Sequence, residues 1–273
     1  MKTETQNSKV ITSKDNSLLR QARAVRDGKA ADLIFVEGLR LCAEAYTSGL
    51  DVDAVIYSEE IARKERAAEV IAKLDDVCDR MAIVSEALLA TISYTKTPQG
   101  IIVLAGRPES GELPLDLEST EAPLLIVLHG LNNPVNVGAI LRSAEAAGVS
   151  GVITTSNTAD PFSPKALRGA MGSAFRLPIW HGPDYERVIQ WCANHGIETV
   201  CADLEAQHSH TEFNWTAPSA LIVGPESTGL SIDEVRLATA AIRIPMQGEV
   251  ESLNVAAAAT IVLYEAARQR GLS

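Results

Sequence analysis

The chain has 273 residues, 46% of them hydrophobic, and a formal net charge of −11. This length suffices for two domains, and the apolar content excludes wholesale disorder. The acidic balance argues against indiscriminate nucleic-acid binding but leaves room for a local basic face. No apolar run reaches the ~20 residues of a membrane span, and the N-terminus MKTETQNSKV lacks the apolar core of a signal peptide. Cys42, Cys78, Cys192 and Cys201 show no CxxC spacing. They read as buried thiols of a protein in the reducing cytoplasm, without a structural zinc.

The first dozen residues form a loose polar terminus. Ser17–Lys29 is predicted helical, with Arg20, Arg23 and Arg26 near one another on one face. That face is either a solvated surface or a phosphate-contacting one. Strands are expected at Leu33–Val36, Asp53–Tyr57, Arg80–Val84 and Gly100–Leu104. Helices are expected at Leu39–Ser48, Glu59–Leu74 and Glu86–Ile92, the last capped by Ser85. This alternation makes residues 1–107 a small α/β domain. Residues 108–122, rich in Pro, Glu and Ser, read as a linker to a second domain over 123–273.

The second domain opens on the apolar strand Leu124–Leu128, then a loop and a helix over Gly138–Ala147. Val152–Thr155, Glu198–Asp203, Ala220–Val223 and Ile242–Ile244 read as further strands. Ser163–Met171, with Lys165 and Arg168 on its basic side, Pro183–His195 and Ser231–Ala238 read as helices, and Ala174–Leu177 as an extension of the sheet. Near-continuous apolar strands between helices imply a mainly parallel sheet covered on both faces. The alanine-rich run Val255–Arg270 has high helix propensity, and Ser252 suits its N-cap.

Three loops carry the unusual residues. In Asn132–Ala144, Asn136 stands where a helix N-cap is expected, and Arg142 follows six residues on. Arg142 is either a snorkelling surface side chain or a fixed guanidinium for a phosphate or carboxylate. In Leu221–Leu230, Gly224 lets a ligand approach the backbone, and Glu226 is acidic in a neutral loop. The third is Ile244-Pro245-Met246 with Ser252-Leu253-Asn254. Neither GxxxxGK[ST] nor GxGxxG occurs, which removes the commonest nucleotide-binding loops.

In order and spacing, NxGAxxR, then GPExxGL, then IPMxGxxxSLNVAxAA resemble the SpoU (TrmH-like) branch of the SPOUT RNA methyltransferases, across residues 122–268. Ser163–Leu177 is similar to that family's stretch between its first two motifs. Residues 13–104, with Phe35-Val36-Glu37-Gly38 and Gln99-Gly100, resemble its substrate-binding N-terminal domain of the L30e ribosomal-protein kind. Asn133-Pro134 replaces the Asp-Pro of many relatives, a change an Asx turn tolerates.

The resemblance implies an α/β fold: a parallel-sheet SPOUT domain with a deep trefoil knot, preceded by a small L30e-like domain. It implies S-adenosylmethionine bound at Gly224, Ile244, Met246 and Leu253, and a homodimer built by the C-terminal domain. It implies 2′-O-methylation of RNA, with Arg142 at the reacting ribose and Asn136, Glu226, Ser252 and Asn254 fixing it and the nucleotide. Ribosomal RNA is the expected substrate, held in part by Arg20, Arg23, Arg26, Lys165 and Arg168. Neither a metal nor a membrane is expected. Two other readings compete: transfer RNA as substrate, or a non-catalytic RNA-binding or ribosome-assembly protein of the same fold.

Overall fold

In the computed structural model, described over residues 8–114, 122–248 and 251–271, the apolar runs become two sheets, one in each of two units. The first unit comprises Met1–Pro108 and Phe162–Arg176. Its elements are β1 (Lys9–Ile11), α1 (Ser17–Arg26), β2 (Leu33–Glu37), α2 (Leu39–Thr47), β3 (Val52–Ser58), α3 (Glu59–Ala62), α4 (Glu65–Asp75), β4 (Met81–Val84), α5 (Glu86–Ile92) and β5 (Ile101–Gly106). The strand order is β1-β4-β3-β5-β2. β1, β4 and β3 run parallel, and β5 is antiparallel to both neighbours. Leu19, Val25, Phe35, Ile56, Leu89 and Ile102 meet in the core of this unit.

The single helix expected over Glu59–Leu74 is broken at Arg63-Lys64. Ile61 is buried, and the next buried side chains are Ala67, Ile71 and Leu74. Six residues separate Ile61 from Ala67, which is out of phase with a helix of 3.6 residues per turn, so the break lets both face inward. The strand β1 corrects the expectation of a loose terminus over the first dozen residues: Lys9–Ile11 pair in parallel with Ala82–Val84, and Ile11 is buried. Residues 1–7 of the expected loose terminus lie outside the described residues.

The second unit comprises Glu109–Pro161 and Leu177–Ser273. It starts with β6 (Leu124–Leu128), α6 (Pro134–Ala146) and β7 (Gly151–Thr154). Next in the chain come α7 (Pro164–Ala170) and α8 (Ser173–Arg176), which belong to the first unit. α7 packs on β2, Arg176 Nη1 donates to Glu44 Oε2 at 2.7 Å, and the Arg107 guanidinium lies 4.8 Å from the Phe162 ring centre. The second unit resumes with β8 (Ile179–His181), α9 (Tyr185–Asn194), β9 (Glu198–Ala202), β10 (His208–Ser209), β11 (Ser219–Val223), α10 (Ile232–Leu237), β12 (Ala240–Arg243) and α11 (Val255–Gln269). Its strands pair in the order β10-β12-β9-β11-β6-β7-β8, all parallel.

Ala174–Leu177, expected as a strand, is instead helix α8, and the sheet edge is β8. Gly172, with φ +100, turns the chain between α7 and α8. Pro178 then leaves Ile179–His181 as the segment able to join β7. Residues 115–121 of the expected linker lie outside the described residues. Its first part is built into the second unit: His181 N donates to Ser110 O at 3.0 Å, Trp191 Nε1 donates to Glu112 Oε1 at 2.9 Å, and Leu113 is buried.

β6 and β11, buried at every residue, are adjacent central strands. The loops after them therefore emerge side by side at one end of the sheet, the end where parallel α/β sheets bind ligands. α11 closes that side against α6, with Thr260 Oγ1 donating to Ser143 Oγ at 2.7 Å.

Candidate active site

The loops after β9, β11 and β12 and the start of α11 enclose a cavity of about 380 Å³. This lies within the roughly 300–1,000 Å³ of small-ligand pockets. Gly224, Ile244, Met246 and Leu253, the four expected cofactor contacts, all line it, as do Glu226, Ser252 and Asn254. Val223 and Ile242 supply apolar wall at the ends of their strands.

Gly224 is required by local crowding. A Cβ there would stand 2.9 Å from Leu230 Cγ and 3.0 Å from Leu230 N, so the loop closes onto bare backbone. Gly130, with φ +66, faces the same loop, its absent Cβ 2.9 Å from Pro225 Cγ. The two strand ends are tied by His129 N donating to Val223 O at 2.9 Å.

Three of the expected catalytic residues form one network. Asn136 Nδ2 donates to Glu226 Oε1 at 2.6 Å, and Asn254 Nδ2 donates to Asn136 Oδ1 at 3.3 Å. Asn136 is buried, and these two partners fix which way its amide faces. Asn254 Oδ1 accepts from Ala256 N at 3.0 Å and Ala257 N at 3.4 Å. Asn254 is therefore the N-cap of α11, the position expected of Ser252. Ser252 lies two residues before that cap, exposed at the pocket wall. Asn136 is likewise not a cap: Asn133 holds that place, its Oδ1 accepting from Val135 N at 3.0 Å, with Pro134 at the first helical position. The cap lies three residues earlier than expected, and Asn136 in the first turn faces the neighbouring loop instead.

Arg142 sits two turns into α6, exposed, and forms no hydrogen bond or ion pair among the described residues. It does not line the cavity. A guanidinium so placed is available to an anionic partner.

The expected basic residues behave differently from one another. Arg20, Lys165 and Arg168 are exposed. Arg23 Nη2 donates to Lys14 O at 2.7 Å, and Arg26 pairs with Asp27 at 2.8 Å while Arg26 Nη1 reaches Thr91 O at 3.3 Å. Arg23 and Arg26 thus brace their own unit.

Two features of the site were not anticipated. Asp203 and Leu204 line the cavity, because β9 lies between β11 and β12 and its end opens on the same space. An apolar strand followed by Asp203 was the available signal. Behind the loop, buried His129 pairs through Nε2 with Glu234 Oε1 at 2.9 Å, while its Nδ1 lies 3.2 Å from Thr155 Oγ1. Glu234 also accepts from Ser231 N at 2.7 Å, and Ser231 Oγ accepts from Glu234 N at 3.2 Å, a capping box at α10. Burial alone raises the Glu234 carboxyl, but the hydrogen bonds from Ser231 and His129 outweigh it and hold the group below its ordinary value.

The four cysteines are buried and free, and burial pushes the Cys192 thiol up to about 12 and that of Cys201 to about 11. Among the described residues no helix is long and apolar enough to cross a membrane.

Comparison with known proteins agrees with this geometry. Residues 123–264 match the SpoU rRNA methylase family, and residues 16–103 match an MRM3-like substrate-binding domain. An uncharacterized tRNA/rRNA methyltransferase of Synechocystis is 30% identical over 95% of this chain and 94% of its own. The 23S rRNA (guanosine-2′-O-)-methyltransferase RlmB of Yersinia pestis is 38% identical over 64% of this chain and 72% of its own. Among solved structures, an AdoMet-bound rRNA methyltransferase from Sinorhizobium meliloti superposes with a TM-score of 0.84 at 30% identity, covering 98% of this chain and 100% of that one. With its parallel sheet, the loop residues that meet at one cavity and these matches along nearly all of its length, the chain belongs to the SpoU rRNA methylase family.

Proposed function

We propose that the protein methylates a ribose 2′-hydroxyl of ribosomal RNA, with S-adenosylmethionine as methyl donor. The observation that carries this reading is the convergence of Gly224, Ile244, Met246 and Leu253 on one cavity, with the Asn136–Glu226–Asn254 network beside it. The lining fits the cofactor: apolar side chains for a nucleoside, with Gly224 in the wall where Leu230 packs against it. The cofactor, when bound, supplies an activated methyl group on a sulfonium.

Gly224, Ile244, Met246 and Leu253 would hold the donor, and methyl transfer to the ribose oxygen would release a thioether while the hydroxyl proton passes to water. Positioning is the main service the protein provides, worth roughly 7–11 kcal/mol in favourable cases. A guanidinium is a poor base and a good anion binder, so Arg142 holds the phosphate beside the target ribose and stabilises the developing alkoxide. Asn136, Glu226, Ser252 and Asn254 order the loops on which that arrangement depends.

RNA docks on the first unit, through exposed Arg20, Lys165 and Arg168. The protein works as a homodimer through the second unit, in the cytoplasm where ribosomal RNA is found. Support for the dimer comes from Val135 at the start of α6 and Ile261 and Tyr264 on α11, large side chains exposed by 43%, 39% and 46%. The trefoil knot implied by the sequence motifs belongs to the same reading.

The test is transfer of labelled methyl groups to purified ribosomal and transfer RNA, with 2′-O-methyl positions mapped in cells with and without the protein. One ribosomal nucleotide should lose its methyl group when the protein is absent. Better transfer to transfer RNA overturns the ribosomal assignment, and no transfer to any RNA overturns the enzyme assignment. Lys165→Glu with Arg168→Glu should weaken RNA binding and flatten its salt dependence, with cofactor affinity unchanged.

A further inference from the structure

Glu37 is a carboxylate buried to 5% exposure at the end of β2, and nothing in the methyl-transfer reading uses it. Among the described residues its hydrogen bonds come from no cation. Its two oxygens are filled by one short segment of chain instead. Oε2 accepts from Tyr94 N at 2.9 Å, and Oε1 accepts from Thr95 Oγ1 at 2.8 Å and from Ser93 Oγ. The other end of that segment is tied to the sheet by Ser58 N donating to Gly100 O at 2.9 Å and Gly38 N donating to Ile101 O at 3.0 Å. Gln99 lies on Gly38, φ +104, so closely that a Cβ on Gly38 would stand 2.5 Å from Gln99 Oε1. Gly100, φ +84, has Ile61 Cβ 2.6 Å from the position of its own absent Cβ. Arg26 Nη1 braces the approach from below, reaching Ser93 O at 3.4 Å.

A buried carboxylate is costly unless it is satisfied, and here the whole of its hydrogen bonding is directed to holding residues 93–95. The held loop joins α5 to β5 and has no part in the core. It displays Tyr94, a phenol ring 44% exposed, with exposed Lys96 two residues on. An aromatic ring held out to solvent on a fixed loop, next to a cation, is the arrangement that stacks an unpaired base while the cation meets its phosphate. Fixing the loop in advance removes ordering entropy from binding.

We infer that the loop Ser93–Gln99, held by Glu37 and Gly38, is a single-stranded RNA contact in which Tyr94 stacks on an unpaired base and Lys96 meets the backbone. This rests on the reading of the protein as an RNA-binding enzyme and adds a residue-level site to the first unit. Glu37 is a positioning residue for it.

The experiment uses the full chain and a fluorescein-labelled single-stranded oligouridylate, followed by anisotropy, with methyl transfer to ribosomal RNA measured in parallel. Tyr94→Ala should weaken oligonucleotide binding about tenfold, and Tyr94→Phe, which keeps the ring, should stay within about twofold of the parent. In methyl transfer, Tyr94→Ala should raise KM for RNA and leave kcat and cofactor affinity unchanged. Glu37→Gln should speed hydrogen exchange at the Tyr94 amide and raise KM for RNA in the same direction. Should Tyr94→Ala bind the oligonucleotide as tightly as the parent, or should the parent not bind it at all, the inference is overturned. Absence of methyl transfer by a parent protein that still shows the Tyr94 dependence counts against the enzyme assignment alone.

Discussion

Asn136 Nδ2 and Glu226 Oε1 lie 2.6 Å apart, joining the first turn of α6 to the loop after β11 across 90 residues of sequence. Cutting the bond leaves a polar group without its partner at the wall of the cavity. Hydrogen bonds to charged groups are worth ~1.5–3 kcal/mol, so Asn136→Ala should lower methyl transfer by about 10- to 100-fold. Asn136→Asp sets two carboxylates against each other and should be at least as damaging. Single-turnover methylation of ribosomal RNA measures both. A variant with parental rates would remove this bond from the catalytic arrangement.

Arg142 is exposed and stands outside the cavity lining. Arg142→Ala should therefore abolish transfer while S-adenosylmethionine still binds, as calorimetry would show. Arg142→Lys keeps the charge but not the planar fork and should recover only part of the activity.

Gly224→Ala separates cofactor binding from chemistry. The added Cβ meets Leu230 N at 3.0 Å, so the loop rather than a side-chain tip must move. Overpacking of this kind costs about 1–3 kcal/mol, which predicts a roughly 5- to 150-fold loss of cofactor affinity. Titration calorimetry reads it directly, and unchanged affinity would mean that the loop is free to shift.

Glu234 sets an acid limit. Its hydrogen bonds from Ser231 and His129 hold its pKa below the ordinary value in the folded protein. As pH falls, the unfolded chain takes up this proton first, near the ordinary glutamate value of about 4.3. The stabilisation is thus complete above that pH and is lost as pH falls through the lower, folded value. Glu234→Gln should reduce stability near neutral pH and make the acid decline shallower. Denaturant unfolding at neutral pH and at about pH 4 tests this; parallel declines in parent and variant would refute it.

The sheet of the second unit could be read from its residues because β6 and β11 are uninterrupted apolar runs, and such runs leave few alternatives to a buried parallel strand. The cavity residues Gly224, Ile244, Met246 and Leu253 were legible only through the family resemblance of the loop motifs, since of these Gly224 alone directly follows one of those strands. Cap positions were less so. Asn133, Asn136, Ser252 and Asn254 are all good caps by type, and only packing decides which backbone N–H groups each one faces. Ser173–Arg176 misled for want of length, since four residues carry no period. The His129–Glu234 pair lay beyond reach, because its members are 105 residues apart and each has an ordinary local explanation.

The return of Phe162–Arg176 to the first unit has a consequence for biosynthesis. A chain emerging from the ribosome presents its first 108 residues well before α7 exists to cover the flank of β2. Until then the leading unit lacks the packing of α7 on β2, which becomes available only after β6, α6 and β7 have been made, at a pace of about 5–20 residues per second. Cutting the gene at the apparent domain boundary would remove that packing altogether.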